Sequence, residues 1–389
     1  MRKSIFTILV FSSTLAVYAQ VNVRAVLQDT TGCPIEFASV YNSTTQQGVI
    51  TNEEGLFELN AQPSDVIVIR SLGYKELQSA AEQLQDVDVL ILKEAPYSIS
   101  EVTVTPSSND AKSIVKKFKR KIWRNYPMRP SKLSGVYKEY ALTENDFSSF
   151  FQCDVDILVQ SIGTRNKPIF KTKVHDFKSF RNSEKNNTGF FIVPEYHFRK
   201  FCIHNFRFFW DFKRYQHRLI GYIEYKGSTL ARINFMPLRI DKSVKQVTGS
   251  MYIDMKTFAL VFLQYEMIPN EIDYTHNNGI LQKTIVEENK IMFEFKRDYY
   301  YPSYVISKMT GSLGFSIDNE IQNKEDTIKS DIIFNFFSKN VKYNPSDFIA
   351  DDFSIIQLKY YNVIDSIDRL DYKSNFILET EQERLLFQR

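Results

Sequence analysis

The sequence predicts a mainly β protein: a small N-terminal β-sandwich followed by a curved antiparallel sheet with covering helices. Three observations carry this expectation. Between 34 and 59 the chain alternates apolar and polar residues on both sides of an Asn/Gly turn, the pattern of a hairpin with one buried face. From 131 to 340 it reads as a succession of strand-like runs with short connections, which favours antiparallel neighbours. The 389 residues include 32 Phe and 22 Tyr, rings that fit pleated, half-buried surfaces. A 43% hydrophobic content can build real cores, and the length exceeds one small sandwich, so two domains are expected.

The N-terminus sets the expected compartment. Arg2 and Lys3 precede an apolar run from Ile5 to Val17, and Val17-Tyr18-Ala19 places small residues at −3 and −1. Residues 1–19 therefore read as a signal peptide cleaved after Ala19. No Cys stands at the cleavage point, so no lipoprotein anchor is expected, and no later run of about 18 apolar residues predicts a membrane-spanning helix. The expected location is the periplasm, the outer-membrane surface or the medium.

Residues 20–105 form the predicted sandwich. Phe37, Ala38 and Val40 lie on one strand, and Gly48, Gly55 and Phe57 belong to the following hairpin. Phe37, Val40, Leu56, Phe57, Leu59, Val66 and Val68 are the expected core. Gly55 sits where the turn needs a positive φ, and Gly73, before Tyr74, is expected to let two backbones approach. Thr31-Gly32, Phe37-Ala38-Ser39-Val40, Gly48 with Thr51-Asn52-Glu53-Glu54-Gly55-Leu56-Phe57, Leu72-Gly73-Tyr74-Lys75 and Glu101-Val102-Thr103-Val104-Thr105 together resemble the carboxypeptidase-regulatory-like domain. That domain occurs at the start of many Bacteroidetes-type envelope proteins, TonB-dependent receptors among them. Arg24-Ala25 departs from the Gly usual in its first strand. The resemblance implies an Ig/transthyretin-like sandwich that accompanies other units and is not itself catalytic. It serves either as a docking platform or as a purely structural domain.

Residues 106–110, Pro-Ser-Ser-Asn-Asp, read as a linker whose Asn109 or Asp110 caps a helix over 111–125. Ile114, Val115, Phe118, Ile122 and Trp123 fall on one face. Lys112, Lys116, Lys117, Lys119, Arg120, Lys121 and Arg124 fill the rest. Such a helix either packs on a sheet with a solvated basic face or makes peripheral contact with an anionic membrane. It opens a β-rich domain over 111–389, with strands at 133–142, 149–160, 168–175, 219–226, 229–236, 248–254, 258–267, 280–287, 290–299, 303–313 and 327–337. Turns are expected at Pro269-Asn270 and Asn277-Asn278-Gly279, and a final helix at 374–388. Asn125-Tyr126-Pro127, Gly135-Val136-Tyr137-Lys138-Glu139-Tyr140 and Gly249-Ser250-Met251-Tyr252-Ile253-Asp254 resemble an uncharacterised envelope family. The later stretch, Ile233-Asn234-Phe235-Met236-Pro237 with Gly249-Ser250-Met251-Tyr252-Ile253-Asp254-Met255-Lys256-Thr257-Phe258-Ala259-Leu260, is also similar to the open, curved antiparallel sheets of the lipoprotein-carrier-like half-barrel.

The segment 190–214 interleaves rings with cations and is the expected ligand or partner surface, through Phe198, Arg199, Phe201, Arg207, Phe209 and Trp210. An apolar or anionic lipid, or an envelope protein partner, suits that chemistry; alternatively the segment plugs the sheet. Nucleic acid is not expected, since the net charge is only +3 and the chain reads as exported. No zinc, nucleophile-elbow, phosphate-loop or calcium-loop motif is present. The cluster Glu195, His197, Cys202 and His204 matches no standard metal spacing. Glu139 with Asp154 or Asp156 is the one carboxylate pairing to weigh for acid–base chemistry. Cys33, Cys153 and Cys202 leave room for one bridge, Cys153 to Cys202, or three buried thiols. No metal or cofactor is expected. The reading is an exported, non-enzymatic envelope protein with a docking sandwich and a binding domain. A periplasmic lipid or lipoprotein carrier and a hydrolase are the alternatives.

Overall fold

The structure, a computed structural model, describes residues 20–45, 47–95, 108–143, 146–163, 170–182, 198–272, 275–277, 280–317, 320–321, 328–342, 368–369 and 376–386. The expected signal peptide, the strand at 101–105 and the turn residues Asn278 and Gly279 lie outside this set. The chain divides into two units, Met1–Glu94 with Asn375–Glu381, and Ala95–Ser374 with Gln382–Arg389. The return of 375–381 to the first unit differs from the continuous second domain that the sequence suggests.

In the first unit the strands are β1 (Val21–Gln28), β2 (Ser39–Asn42), β3 (Gln47–Ile50), β4 (Leu56–Ala61), β5 (Val66–Arg70), β6 (Leu77–Ala80) and β7 (Val89–Ile91), with a short helix α1 (Ala81–Leu84). They form two sheets, β4-β1-β7 and β3-β2-β5-β6. The two inner faces share one core, with Val23, Ala25, Leu27 and Phe57 from one sheet and Val40, Ile67 and Ile69 from the other. Period-2 burial along β1 is the direct cause: Val21, Val23, Ala25 and Leu27 point inward and the residues between them do not. Val66, expected in the core, is exposed, because the inward set of β5 begins one residue later at Ile67.

The hairpin motif has a local mechanism. Asn52 Oδ1 accepts the backbone N–H groups of Glu54 and Leu56 at 2.9 Å each. Gly55 takes φ +74°, and a Cβ there would stand 2.4 Å from the Leu27 carbonyl oxygen. Phe37 itself adopts φ +56°. Thr51 holds that turn: its hydroxyl donates to the Ile35 carbonyl at 2.7 Å and accepts the Ala38 N–H at 2.8 Å. Gly73 has φ +90° with nothing near its missing Cβ. Its role is conformational, and the close backbone approach expected there does not occur.

The second unit opens with α2 (Ser108–Asn125), which starts inside the stretch read as a linker. The strands are β8 (Ser131–Thr143), β9 (Asp146–Val159), β10 (Phe170–Arg181), β11 (Tyr215–Tyr225), β12 (Ser228–Pro237), β13 (Val247–Asp254), β14 (Leu260–Met267), β15 (Thr275–Asn277), β16 (Ile280–Lys296), β17 (Tyr299–Ile317), β18 (Glu320–Ile321), β19 (Ile328–Lys342) and β20 (Asp368–Arg369). The two runs 280–287 and 290–299 are thus largely one long strand, β16. Among the described residues these thirteen strands form a single sheet, ordered β11-β12-β13-β14-β16-β17-β19-β8-β9-β10-β20, with β15 on β16 and β18 on β17. It is a meander except at two places, where β19 pairs with β8 and where β20 pairs with β10.

Register explains the core. Leu219, Ile233, Met251, Leu263, Ile291, Val305, Phe336, Tyr137, Cys153 and Phe177 are successive cross-strand partners, one continuous row over ten strands. Residues directly opposite share a face, so this row is the covered face of the sheet. α2 lies on it. Val115 and Phe118 are fully buried, and Ile114 and Ile122 nearly so. Trp123, expected on the same face, is 59% exposed. Its position is one residue beyond Ile122, about 100° around the helix and off the stripe.

The Asn-Tyr-Pro turn fastens the end of α2. Asn125 Nδ2 donates to the Thr257 carbonyl at 3.1 Å, and Tyr126 Oη donates to the Leu260 carbonyl at 2.8 Å. The Pro127 carbonyl accepts the Ile162 and Gly163 N–H groups and the Ser161 hydroxyl. Three consecutive residues thus tie the helix to the sheet and to the strand end after β9. The final helix, α3 (Glu381–Leu386), is shorter than the predicted 374–388. Phe376 and Ile377 instead lie in an extended segment that pairs with β3.

Candidate functional site

The segment expected to bind a ligand folds as two 3-10 turns, Arg199–Phe201 and Ile203–Trp210. Phe198 and Phe201 are fully buried. Phe198 sits edge-on to Tyr137 at 5.7 Å, and Phe201 edge-on to Phe170 at 5.9 Å, both on the covered face of the sheet. These two rings are packing residues, and a ligand reaching them would have to open the core. Among the described side chains of the named set, Arg199 is the exposed one. The side chains of Arg207, Phe209 and Trp210 lie outside the described set.

Sequence reasoning missed Lys200, which sits between those rings. Its Nζ donates to Glu287 Oε1 at 2.9 Å, Asn289 Oδ1 at 3.0 Å and Ser307 Oγ at 2.5 Å. Burial pulls the Lys200 ammonium below its ordinary pKa, with the Glu287 charge opposing. Burial alone would raise the Glu287 carboxyl. The Lys200 charge and the hydrogen bonds from Lys200 and Asn289 outweigh it, and the carboxyl lies below its ordinary value. A lysine held this way, against a carboxylate, is a charged anchor and not a free base. The signal in the sequence was weak, a lone lysine between Phe198 and Phe201 matched to residues 87, 89 and 107 positions away.

The other chemistry-bearing groups are apart. Glu139 stands opposite Phe151 in the β8–β9 ladder, whereas Asp154 and Asp156 stand opposite Val136 and Ser134. Period-2 alternation therefore puts Glu139 on the other face of the sheet from both aspartates, and the weighed carboxylate pair does not form. Asp156 is engaged by Lys132 at 3.0 Å and by the Ser134 hydroxyl. Glu195 and His197 lie outside the described residues, among which no group of three metal-ligating side chains gathers. Cys202 is buried and burial pushes its thiol up. Cys33 is exposed, contrary to the three-buried-thiol expectation, and the bridge weighed between Cys153 and Cys202 does not form.

On the face of β8 and β9 that carries Lys138, Tyr140 and Phe150, α3 supplies the cover. Lys138 and Glu383, both fully or almost fully buried, form an ion pair at 2.7 Å. Leu386 packs beside it on Tyr140, Phe147 and Phe150.

In the first unit the hairpin residues face the returning segment. The Phe376 carbonyl accepts the Ile50 N–H at 3.1 Å, and Ile377 bridges Ile50 in parallel. Asn52 Nδ2 donates to the Glu379 carbonyl at 3.2 Å, and Glu54 accepts the Glu381 N–H. Ile377 is 3% exposed, so the contact is a closed one. Of the other motif residues, Ala38, Val40 and Phe57 are core, and Gly48 stands opposite Tyr41 in the β2–β3 ladder. Tyr74 packs against the core, and burial, then the charges of Asp29, Glu94 and Cys33, raise its hydroxyl pKa.

No described helix is long and apolar enough to cross a membrane. A stretch of 97 residues, 24% of the chain, is 36% identical to the TonB-dependent receptor SusC of Bacteroides thetaiotaomicron, of which it spans 9%. Solved structures with a likeness to the chain include a LolA superfamily protein from Nitrosomonas europaea (11% identity, 62% of this chain and 98% of that one, TM-score 0.24). A DUF1329 family protein from Desulfovibrio piger is similar at 8% identity over 62% of this chain and 94% of its own, with a TM-score of 0.27. The hairpin, its Asn52 turn and the paired sheets agree with a family model that matches here: residues 25–104 are a CarboxypepD_reg-like domain.

Proposed function

We propose that the protein is a non-enzymatic envelope protein whose N-terminal domain is a strand-accepting docking module and whose β-rich unit binds an envelope partner. The observation that carries this reading is the edge of β3. It receives Phe376–Glu381 through a backbone bond, a parallel bridge and the side chains of Asn52 and Glu54. Open strand edges are templates for extended chain, and addition of a strand is a common mode of peptide recognition. Asn52 shapes the hairpin through its Oδ1 and holds the added segment through its Nδ2, so hairpin and acceptor share one side chain. The likeness of this domain to part of a TonB-dependent receptor supports an envelope setting. In the second unit Phe118, Tyr126, Phe198 and Phe201 fill the sheet's covered face, which favours partner binding over a lipid-carrying cavity.

The test frees the edge within the whole chain. Ile377→Pro removes an N–H and fixes φ in the added segment, disfavouring the bridge. A fluorescent peptide of residues 374–381 is expected to bind this variant saturably and to leave the unaltered protein, whose edge is occupied, unbound. Asn52→Ala in the same background should weaken the peptide. A variant that melts normally yet fails to take the peptide would sink the docking reading. A lipid mass retained by the unaltered protein in native mass spectrometry would move the assignment to a carrier.

A further inference from the structure

The loop between β12 and β13 presents Leu238, Ile240 and Val244 to solvent at 58%, 57% and 47% exposure. This is not a slack loop. Gln246 accepts the Asp241 N–H at 2.8 Å and donates its amide to the Arg239 carbonyl at 3.0 Å. The Ile268 N–H closes on the Gln246 carbonyl and the Glu271 N–H on the Lys242 carbonyl. Asp241 turns back to accept the Ser243 N–H and hydroxyl. Backbone and side chains therefore hold three aliphatic groups outward, where water disfavours them.

Cations surround these groups. Arg239, Lys242 and Lys245 alternate with them along the loop, and all three are exposed. The Leu238 N–H bonds the Arg214 carbonyl, which brings in exposed Lys213 and Arg214 from the start of β11. Just before them, Phe212 lies under Lys112 and Lys116 of α2, at 5.6 and 5.9 Å from its ring centre. The nearby carboxylates are engaged locally: Glu271 with Lys242 at 2.9 Å, and Asp211 with Arg214 at 3.7 Å. The balance at this end of the sheet is positive.

We infer that this loop and its cationic surround form a membrane-surface site that inserts Leu238, Ile240 and Val244 into the interface of a bilayer carrying anionic phospholipid. Two features select a bilayer over a protein. The exposed apolar groups of the loop are purely aliphatic, whereas protein hot spots favour Trp, Tyr and Arg in pockets, and a stable protein interface needs roughly 1,000 Å². An interface inserts aliphatic groups without any complementary pocket, and Lys and Arg stems reach from it to headgroup phosphates. Anionic lipid supplies the matching charge.

The test is flotation of the full purified protein with vesicles of phosphatidylcholine alone or mixed with phosphatidylglycerol, with and without added salt. The N-terminal apolar segment is common to every variant and so cancels in the comparison. Binding to the anionic vesicles is expected to exceed that to neutral ones at least about tenfold at low salt and to weaken with salt. Leu238→Ser/Ile240→Ser/Val244→Ser should lower it at least about tenfold, since each aliphatic side chain contributes to burial. Arg239→Gln/Lys242→Gln/Lys245→Gln should abolish the preference for anionic vesicles. Tryptophan-fluorescence melting checks the fold, and Ile240→Ser alone with the charge variant carries the test if the triple serine variant melts early. Absence of binding to anionic vesicles, or equal binding by folded variants, overturns the inference. So does self-association that the serine substitutions abolish, which would assign the tip to a second copy of the chain.

Discussion

Removing the Tyr126 hydroxyl is the sharpest probe of how α2 is held. Tyr126 is fully buried, bonds the Leu260 carbonyl at 2.8 Å, and packs on Phe293 at 5.5 Å, Tyr300 at 6.2 Å and Phe118 at 6.5 Å. Tyr126→Phe keeps the ring and deletes the donor, leaving the carbonyl short of one partner in a dry site; the expected cost is about 1–3 kcal/mol. Tyr126→Ala also opens a cavity among three rings and should cost about 3–5 kcal/mol. Both tryptophans, Trp123 and Trp210, belong to the second unit, so their fluorescence during urea unfolding reads that unit alone. For an m-value of about 2–3 kcal/mol/M, Tyr126→Phe should lower the midpoint by roughly 0.5–1 M. pH adds an independent arm. Burial raises the Tyr126 pKa well above its ordinary value, so its contribution is full below pH ~10 and is lost as pH rises through the folded pKa. The deficit of the Phe variant should therefore narrow above pH ~10, where the unfolded tyrosine ionises. A Tyr126→Phe loss under about 0.5 kcal/mol, or an Ala loss no larger than the Phe loss, would refute the anchoring argument.

Gly55→Ala should destabilise the first unit much more than Gly73→Ala. Both sit at positive φ, worth about 1 kcal/mol, but a Cβ at Gly55 also meets the Leu27 carbonyl at 2.4 Å while none is crowded at Gly73; calorimetry of the two variants checks the order. Phe198→Ala should cost about 3–5 kcal/mol and Arg199→Ala less than about 0.5, by urea unfolding, because one ring is buried and the other side chain is exposed. Iodoacetamide should add to one thiol, Cys33, in the native protein and to all three after unfolding, as intact mass spectrometry would show. Acid should weaken the second unit through Glu287 and Glu294, both held below their ordinary pKa in the fold. Their contribution is full above pH ~4.5 and is lost as pH falls through the folded values, so Glu287→Gln should flatten the acid limb of stability against pH.

Strand positions were most legible where a strand buries one face: alternation along β1 and β11 is written residue by residue. The hairpin with Asn52 and Gly55 was legible for a local reason, since a turn of positive φ is decided by a few neighbours. The same holds for the buried stripe of α2 up to Ile122. Trp123 was misplaced because one residue of drift around a helix decides exposure, and Val66 because β5 starts its inward set one position later.

What the sequence by itself determined is therefore the short-range half of this protein: its strands, turns, the helix α2 and the CarboxypepD_reg-like domain. Tertiary structure alone decided which of those surfaces are closed. Phe198 and Phe201 look like a binding surface along the chain, and become core only because Tyr137 and Phe170 meet them from other strands. Lys200 finds Glu287, Asn289 and Ser307 only through the β16–β17 pairing, and Lys138 finds Glu383 from the far end of the chain. Glu139 and the two aspartates are close in sequence and β8–β9 register, yet register places them on opposite faces. The physical reason is common to all of these. Periodicity records which way a side chain points relative to its own strand, and says nothing about which distant element arrives to bury it.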